Sequence, residues 1–194
     1  MRRTIYLARH GETDWNRDRR WQGHTDVALN EAGRHQAREL AEALRNHGLT
    51  HASASDLSRA RETAEILART LGLTDVSVDA RLRERNFGVF EGLTERECVE
   101  RYPEQWASYR SDLRRPPPGA EEYDAVARRM HEAVSSLMEA GEPQGSTRVV
   151  VSHGGAIRAF LLAVTGTLPP PLQNGATFRL RWERGSFGDV ERVR

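Results

Sequence analysis

At 194 residues the chain has the length of one domain spanning 1–194, enough to bury roughly 70% of its unfolded surface without disulfides or a structural metal. Its single cysteine, Cys98, excludes an internal disulfide and a cysteine-cluster metal site, and fits a reducing, cytoplasmic setting. The net charge is +1, with 29 arginines, no lysine and 28 acids interleaved as in Arg81-Leu82-Arg83-Glu84-Arg85, which excludes the basic stripe of a nucleic-acid binder.

Met1-Arg2-Arg3-Thr4 leads directly into Ile5-Tyr6-Leu7-Ala8, an apolar run too short for a signal peptide. No stretch approaches the ~20 apolar residues that span a bilayer, and mean hydropathy is −0.68. Thr4 to Ala8 predicts a strand. Residues 10–30 predict a long loop of the functional kind, in which Trp15 and Trp21 argue for order. Ala37, Leu40, Ala41 and Leu44 predict a helix from about Gly33 to Asn46. Residues 51–55 predict a second strand, and Ser58 the N-cap of a helix carrying Ala60, Ala64, Leu67 and Leu71 to a stop at Gly72.

Asp75 to Val78 gives a third strand. The charged stretch 81–92 predicts a loop, and Thr94 to Arg101 a short helix. Arg115-Pro116-Pro117-Pro118-Gly119 breaks any element. Val126, Met130, Ala133 and Leu137 mark another helix. Arg148 to Val151 reads as a strand buried on both faces, and Ile157, Phe160, Leu161 and Val164 as the helix after it. Residues 176–193 predict a hairpin turning near Gly185. Strands alternating with helices imply an α/β single domain, a mixed, mostly parallel sheet flanked by helices on both sides.

Sites in open α/β sheets form beyond the carboxyl ends of strands. Three such places carry polar residues: Arg9-His10-Gly11-Glu12, Ser55-Asp56-Leu57-Ser58-Arg59-Ala60 and Ser152-His153-Gly154-Gly155. A histidine at a strand end is more often structural than catalytic. Two histidines and two arginines converging on one sheet edge instead make a pocket for a dianion, to which a helix N-terminus at Gly154 would add backbone donors. Taken singly, Glu84 reads first as a surface ion pair among arginines, Asn16 equally as a turn residue, and Arg59 and Arg9 also as a helix-surface residue and a partner of Glu12. Thr13, Trp15 and Trp21 read as loop packing, and Cys98 as a small core residue.

Arg9-His10-Gly11-Glu12-Thr13-Asp14-Trp15-Asn16 resembles the signature of the histidine phosphatase superfamily, whose best-known branch is phosphoglycerate mutase. Leu29-Asn30-Glu31-Ala32-Gly33, Ser55 to Ala60 with Thr63-Ala64, Leu82-Arg83-Glu84 with Phe87-Gly88 and Glu91-Gly92, and Ser152 to Gly155 match its later motifs in order, covering about residues 4 to 160. The resemblance implies a phosphoglycerate mutase-like fold, with His10 as the nucleophile that forms a phosphohistidine. Arg9, Arg59 and His153 would hold the equatorial oxygens, Asn16 and the Gly154 amide would bond the phosphoryl group, and Glu84 would serve as general acid and base. Gly11 fits a backbone that must approach His10 closely. No metal and no cofactor is expected, since the arginines neutralise the charge; zinc on His10, His24 and His153 is a weaker reading.

Mutase and phosphatase share this core. Only 69 positions separate Glu84 from His153, an interval short for the glycolytic mutases, which favours a phosphomonoesterase acting on small phosphorylated metabolites. Arg114-Arg115 resembles the arginine pair with which mutases bind the substrate carboxylate, so phosphoglycerate mutase is the alternative; a non-catalytic phospho-ligand binding module is the second. Gly119-Ala120-Glu121-Glu122 departs from the Gly-Gly-Glu-Ser of many phosphatases, which leaves the leaving-group side open. Gln22 and Gly23 border that side by position. The expected partner is a small phosphomonoester, with no nucleic acid and no membrane; self-association as a homo-oligomer is left open.

Overall fold

The computed structural model describes residues 2–139, 145–183 and 185–194. One six-stranded sheet runs through it in the order β3-β2-β4-β1-β5-β6, formed by β1 (Arg2–Arg9), β2 (His51–Ala54), β3 (Val76–Val78), β4 (Thr147–Ser152), β5 (Thr177–Glu183) and β6 (Ser186–Arg192). The first four of these are mutually parallel, with Ala8 opposite Val151 and Val151 opposite Ala54. β5 pairs antiparallel with β1, and β6 antiparallel with β5, as the predicted hairpin requires. The sheet is therefore mixed and mostly parallel.

β1 and β4 sit at the centre and are buried on both faces. Ile5, Leu7 and Val150 pack against α6 (Tyr123–Glu139) and α7 (Gly154–Thr165) on one side. Tyr6, Ala8, Val149 and Val151 pack against α2 (Glu31–Leu44) and α3 (Ser58–Leu71) on the other. Each of the Val, Leu and Ile side chains removed from water contributes about 1.5–3 kcal/mol. Arg148 interrupts this apolar run, and its guanidinium donates to Ser53 Oγ at 2.6 Å. Among the described residues no helix is long and apolar enough to cross a membrane.

Several boundaries move for physical reasons. α2 starts two residues before Gly33, because the Asn30 side chain accepts from the Gly33 amide and caps the helix. Ser58 is not the N-cap of α3. Leu57 is, and Ser58 is the first helical residue, its amide and hydroxyl both donating to Asp26. Within loop 10–30 a one-turn helix, α1 (Asp14–Arg17), forms from a capping box between Thr13 and Asn16. A third apolar cluster gathers Phe87, Phe90, Cys98, Trp106 and Tyr109 around α4 (Glu95–Arg101) and α5 (Pro103–Ser111). The sequence gives no stripe for α5, since only Trp106 and Tyr109 of its nine residues are buried.

Candidate active site

The carboxyl ends of β1, β2 and β4 open into a cavity of about 300 Å³ lined by Arg9, His10, Asn16, Gln22, Gly23, Arg59, Glu84 and Gly154, among others. His10 leaves β1 with its amide donating to Ser152 O, so β1 and β4 fix its backbone together. Its ring is buried, and Nδ1 lies 2.6 Å from Gly11 O. A carbonyl only accepts, so Nδ1 carries the proton and Nε2 holds a free lone pair. Burial, then the charges of Arg59 and Arg9, hold the imidazole well below its usual range. At neutral pH His10 is thus an uncharged base.

Gly11 is required by a close approach to α2 rather than to His10. A Cβ on Gly11 would lie 2.4 Å from Gly33 O, and one on Gly33 only 2.1 Å from Glu12 O. The two glycines of the first two sequence motifs cross there, with the Gly11 amide bonded to Thr63 Oγ1 of α3 at 3.1 Å.

Arg59 is fully buried at the start of α3. Its two terminal nitrogens donate to Gly23 O at 2.8 Å and Thr25 O at 2.9 Å, and burial brings its pKa down to about 10. The loop supplying those carbonyls is itself held by Glu91, whose carboxylate accepts from the amides of His24, Thr25 and Phe87 and from Thr25 Oγ1. Arg9 donates to Leu172 O rather than pairing with Glu12. Burial lowers its pKa, while the charge of Glu84 raises it.

Asn16 lines the cavity. Its Oδ1 accepts from Thr13 and from Asn174 Nδ2, which orients its amide group as the remaining donor. Asn174 also bonds His10 O at 3.0 Å, a role the sequence did not signal.

Glu84 lies at the N-terminus of α7. Its Oε1 accepts from the amides of Arg85 and Ala156, both at 2.8 Å, and Oε2 from the amide of Gly155 at 2.9 Å. The helix-terminal donors expected to hold the substrate anion are thus mostly engaged by this carboxylate, with Gly154 left at the cavity wall. A Cβ on Gly155 would come within 2.6 Å of Glu84 Oε1, which explains the second glycine after His153. His153 itself caps α7, fully buried, with its ring centroid 5.1 Å from that of His10. It backs His10 without forming part of the cavity wall. Burial, then Arg59 and His10, lower its pKa as well.

Seven buried polar atoms lack a partner among the described residues and gather in this region: Arg9 Nε, Gln22 Oε1, Arg59 Nε, Arg85 Nη2, Tyr123 OH and both nitrogens of His153. Unsatisfied buried groups of this kind cost about 1–3 kcal/mol each, and their concentration marks a place built to receive a polar ligand.

Arg9, His10, Asn16, Gln22, Gly23, Arg59, Glu84 and Gly154, expected from the sequence, line this cavity, and His153 stands behind it. Arg114 and Arg115 do not. Neither lines the cavity; Arg114 is exposed, 3.6 Å from Asp124, because the turn at Asp112 directs this segment outward. Trp21 does more than pack the loop, since it lines the cavity while stacking edge-on against Phe87, Trp106 and Tyr109. Arg85, Tyr109, Arg110, Tyr123, Arg158 and Leu172 complete the outer wall, unsignalled by any motif. Among the described residues no three His, Cys, Asp or Glu side chains cluster as a metal site; His24 Nε2 lies instead 2.8 Å from Glu84 O.

The family model described as "Histidine phosphatase superfamily (branch 1)" matches residues 5–190. A probable phosphoglycerate mutase of Salmonella paratyphi B is 41% identical over 192 residues, covering 96% of this chain and 84% of that one. A mycobacterial glucosyl-3-phosphoglycerate phosphatase, solved in complex with VO3, is 32% identical, covers 99% and 98% of the two chains and superposes with a TM-score of 0.84. The YhfR protein of Bacillus stearothermophilus is 33% identical, with coverage of 96% and 94% and a TM-score of 0.86.

Proposed function

We propose, for a chain that belongs to the histidine phosphatase superfamily, hydrolysis of small phosphomonoesters through a phosphohistidine on His10, without a metal. The observation that carries this reading is the hydrogen bond from His10 Nδ1 to Gly11 O, which leaves Nε2 as a neutral nucleophile between two arginines.

Nε2 attacks phosphorus in line as the P–O bond to the leaving group breaks, and Glu84 delivers the proton that oxygen needs. Arg9 and Arg59 hold the equatorial oxygens, whose charge is spread in a loose transition state, and Asn16 offers its amide hydrogens. Positive charge developing on the imidazole is eased by the Nδ1–H bond to Gly11 O. Glu84 then takes a proton from water, which attacks the phosphohistidine, releases inorganic phosphate and restores His10. His153 supports this arrangement from behind His10, its ring centroid 5.1 Å from that of the nucleophile.

A mutase reading is favoured by the 41% identity to the Salmonella protein, and opposed by the position of Arg114 and Arg115 outside the cavity. Phosphate release from a panel of phosphomonoesters in EDTA, with 3-phosphoglycerate isomerisation followed in parallel, decides between them. Release that persists in EDTA is the expected result. Isomerisation without release gives the chain to the mutases, loss of release in EDTA removes the metal-free mechanism, and neither activity leaves a phospho-ligand binder.

A further inference from the structure

The outer half of the cavity is more basic than phosphoryl transfer requires. Seven arginines line the cavity against one acid, Glu84, and the proposed phosphoryl transfer calls on only Arg9 and Arg59. Three further side chains from separate elements, Arg85, Tyr123 and Arg158, line the same cavity as Glu84. Arg85 is 2% exposed and spends Nε on Glu121 O and Nη1 on Leu113 O, which leaves Nη2 buried without a partner. Its guanidinium carbon stands 5.5 Å from the ring centre of Tyr123 and 5.6 Å from that of Tyr109. Tyr123 is 6% exposed, and its hydroxyl is likewise buried and unpartnered. Arg158 lies on α7 one turn beyond Gly154 and Gly155, anchored by Nε to Pro169 O at 2.9 Å; its terminal nitrogens make no hydrogen bond among the described residues, and it lines the same cavity.

Position along α7 gives this group its meaning. The amides of Gly155 and Ala156 hold Glu84, the acid that must face the leaving oxygen. A residue one turn further along that helix face therefore meets whatever the leaving group carries beyond that oxygen. A neutral alcohol would leave Arg158 and Arg85 Nη2 desolvated without compensation. A carboxylate or second phosphate would accept from both and from the Tyr123 hydroxyl.

Building on the phosphomonoesterase reading, we propose that Arg158, Arg85 and Tyr123 form a second anion subsite, so that the preferred substrate is a phosphate ester whose leaving group bears its own negative charge. Arg158 is the specificity-determining member, since of the two arginines it spends fewer donors on protein partners. No bond is made or broken at this subsite; it acts by binding alone.

Non-hydrolysable phosphonates test the subsite independently of turnover. Calorimetric Kd values are compared for 3-phosphonopropionate, propane-1,3-diphosphonate and 3-hydroxypropylphosphonate. The wild-type protein is expected to bind one of the two dianion-plus-anion probes at least about tenfold more tightly than the hydroxyl probe, and the tighter of the two identifies carboxylate or phosphate as the second group. Arg158→Gln should bring that ratio close to one, and Arg158→Lys, which keeps the charge but not the fork, should leave an intermediate value. Arg114→Gln, an exposed arginine outside the cavity, should leave the ratio as it is and so separates a built subsite from general attraction. A wild-type ratio near one, a ratio unaltered in Arg158→Gln, or an equal fall in Arg114→Gln overturns the proposal. Failure of the phosphatase reading shows separately, as absence of phosphate release from a protein that still discriminates the probes.

Discussion

The floor of the cavity and its outer wall are made of different kinds of structure. The floor is built at strand ends: His10 and Arg9 at the end of β1 and Arg59 just after β2, with His153, just after β4, behind His10. Parallel pairing fixes these ends relative to one another, so residues far apart in sequence meet with little freedom. The outer wall is assembled from α5, the start of α6, loop 84–87, Arg158 and the segment around Leu172. Side-chain contacts chiefly bring those together, the rings of Trp21, Phe87, Tyr109 and Tyr123 around Arg85 and the bonds of Arg85 to Leu113 O and Glu121 O, with a backbone bond from Glu121 N to Asn86 O. A floor of this kind can keep one chemistry while the wall changes the leaving group it accepts.

Substitutions in the floor should therefore abolish turnover, and those in the wall should redistribute it. His10→Ala has the largest expected effect, a fall of about 10⁴-fold or more in kcat, with thermal unfolding confirming that the protein still folds. Retained activity would assign the nucleophile elsewhere. Glu84→Gln lies at the border of the two regions. It should cut kcat/KM on alkyl phosphates by about 10²–10⁴-fold and far less on p-nitrophenyl phosphate, whose leaving group departs without a proton. Equal losses on both would remove the acid role.

The floor also carries a pH signature. His10 and His153 are both held well below the usual imidazole range, by burial first and by neighbouring arginines next. The neutral forms are the folded forms, so their contribution to stability is complete above the unfolded value of about 6.5 and is lost as pH falls from there towards the folded pKa. Each group should add a slope of up to about 1.4 kcal/mol per pH unit in that window. Denaturant titrations of wild type and His153→Gln at pH 7.5 and 5.5 measure it: the variant should lose less stability on acidification, and parallel curves would place the titration elsewhere. The smallest effect is expected at the surface. Arg114→Gln with Arg115→Gln should change kcat/KM on any ester by less than about twofold; a larger loss on 3-phosphoglycerate would restore the mutase carboxylate site.

The sequence carried the floor more fully than the wall. Strand-end histidines followed by glycine, and the periodic stripes of α2, α3, α6 and α7, are local signals, and the structure places them where those signals point. What it did not carry depends on tertiary contact. Gly11 and Gly33 are tied by a backbone crossing, Ser58 yields the cap to Leu57 because Asp26 takes its hydroxyl, and α5 is held by an aromatic cluster rather than by periodicity. Arg114-Arg115 is the instructive ambiguity: a motif-like pair next to prolines reads as ligand chemistry or as surface charge, and it lies outside the cavity, while Arg85 and Arg158, in no motif, line it. Among 29 arginines, burial and unpaired nitrogens single out the ones that matter, and neither can be seen before folding.

The most direct test of the central claim is to trap the covalent intermediate. Wild-type protein is mixed with a ³²P-labelled phosphomonoester, quenched in alkali within milliseconds, and the label is mapped by peptide analysis. The account predicts an acid-labile, base-stable phosphoryl group on His10, absent from His10→Ala and longer-lived in Glu84→Gln. Label on another residue, or phosphate release at full rate with no labelled protein at any time, would contradict it.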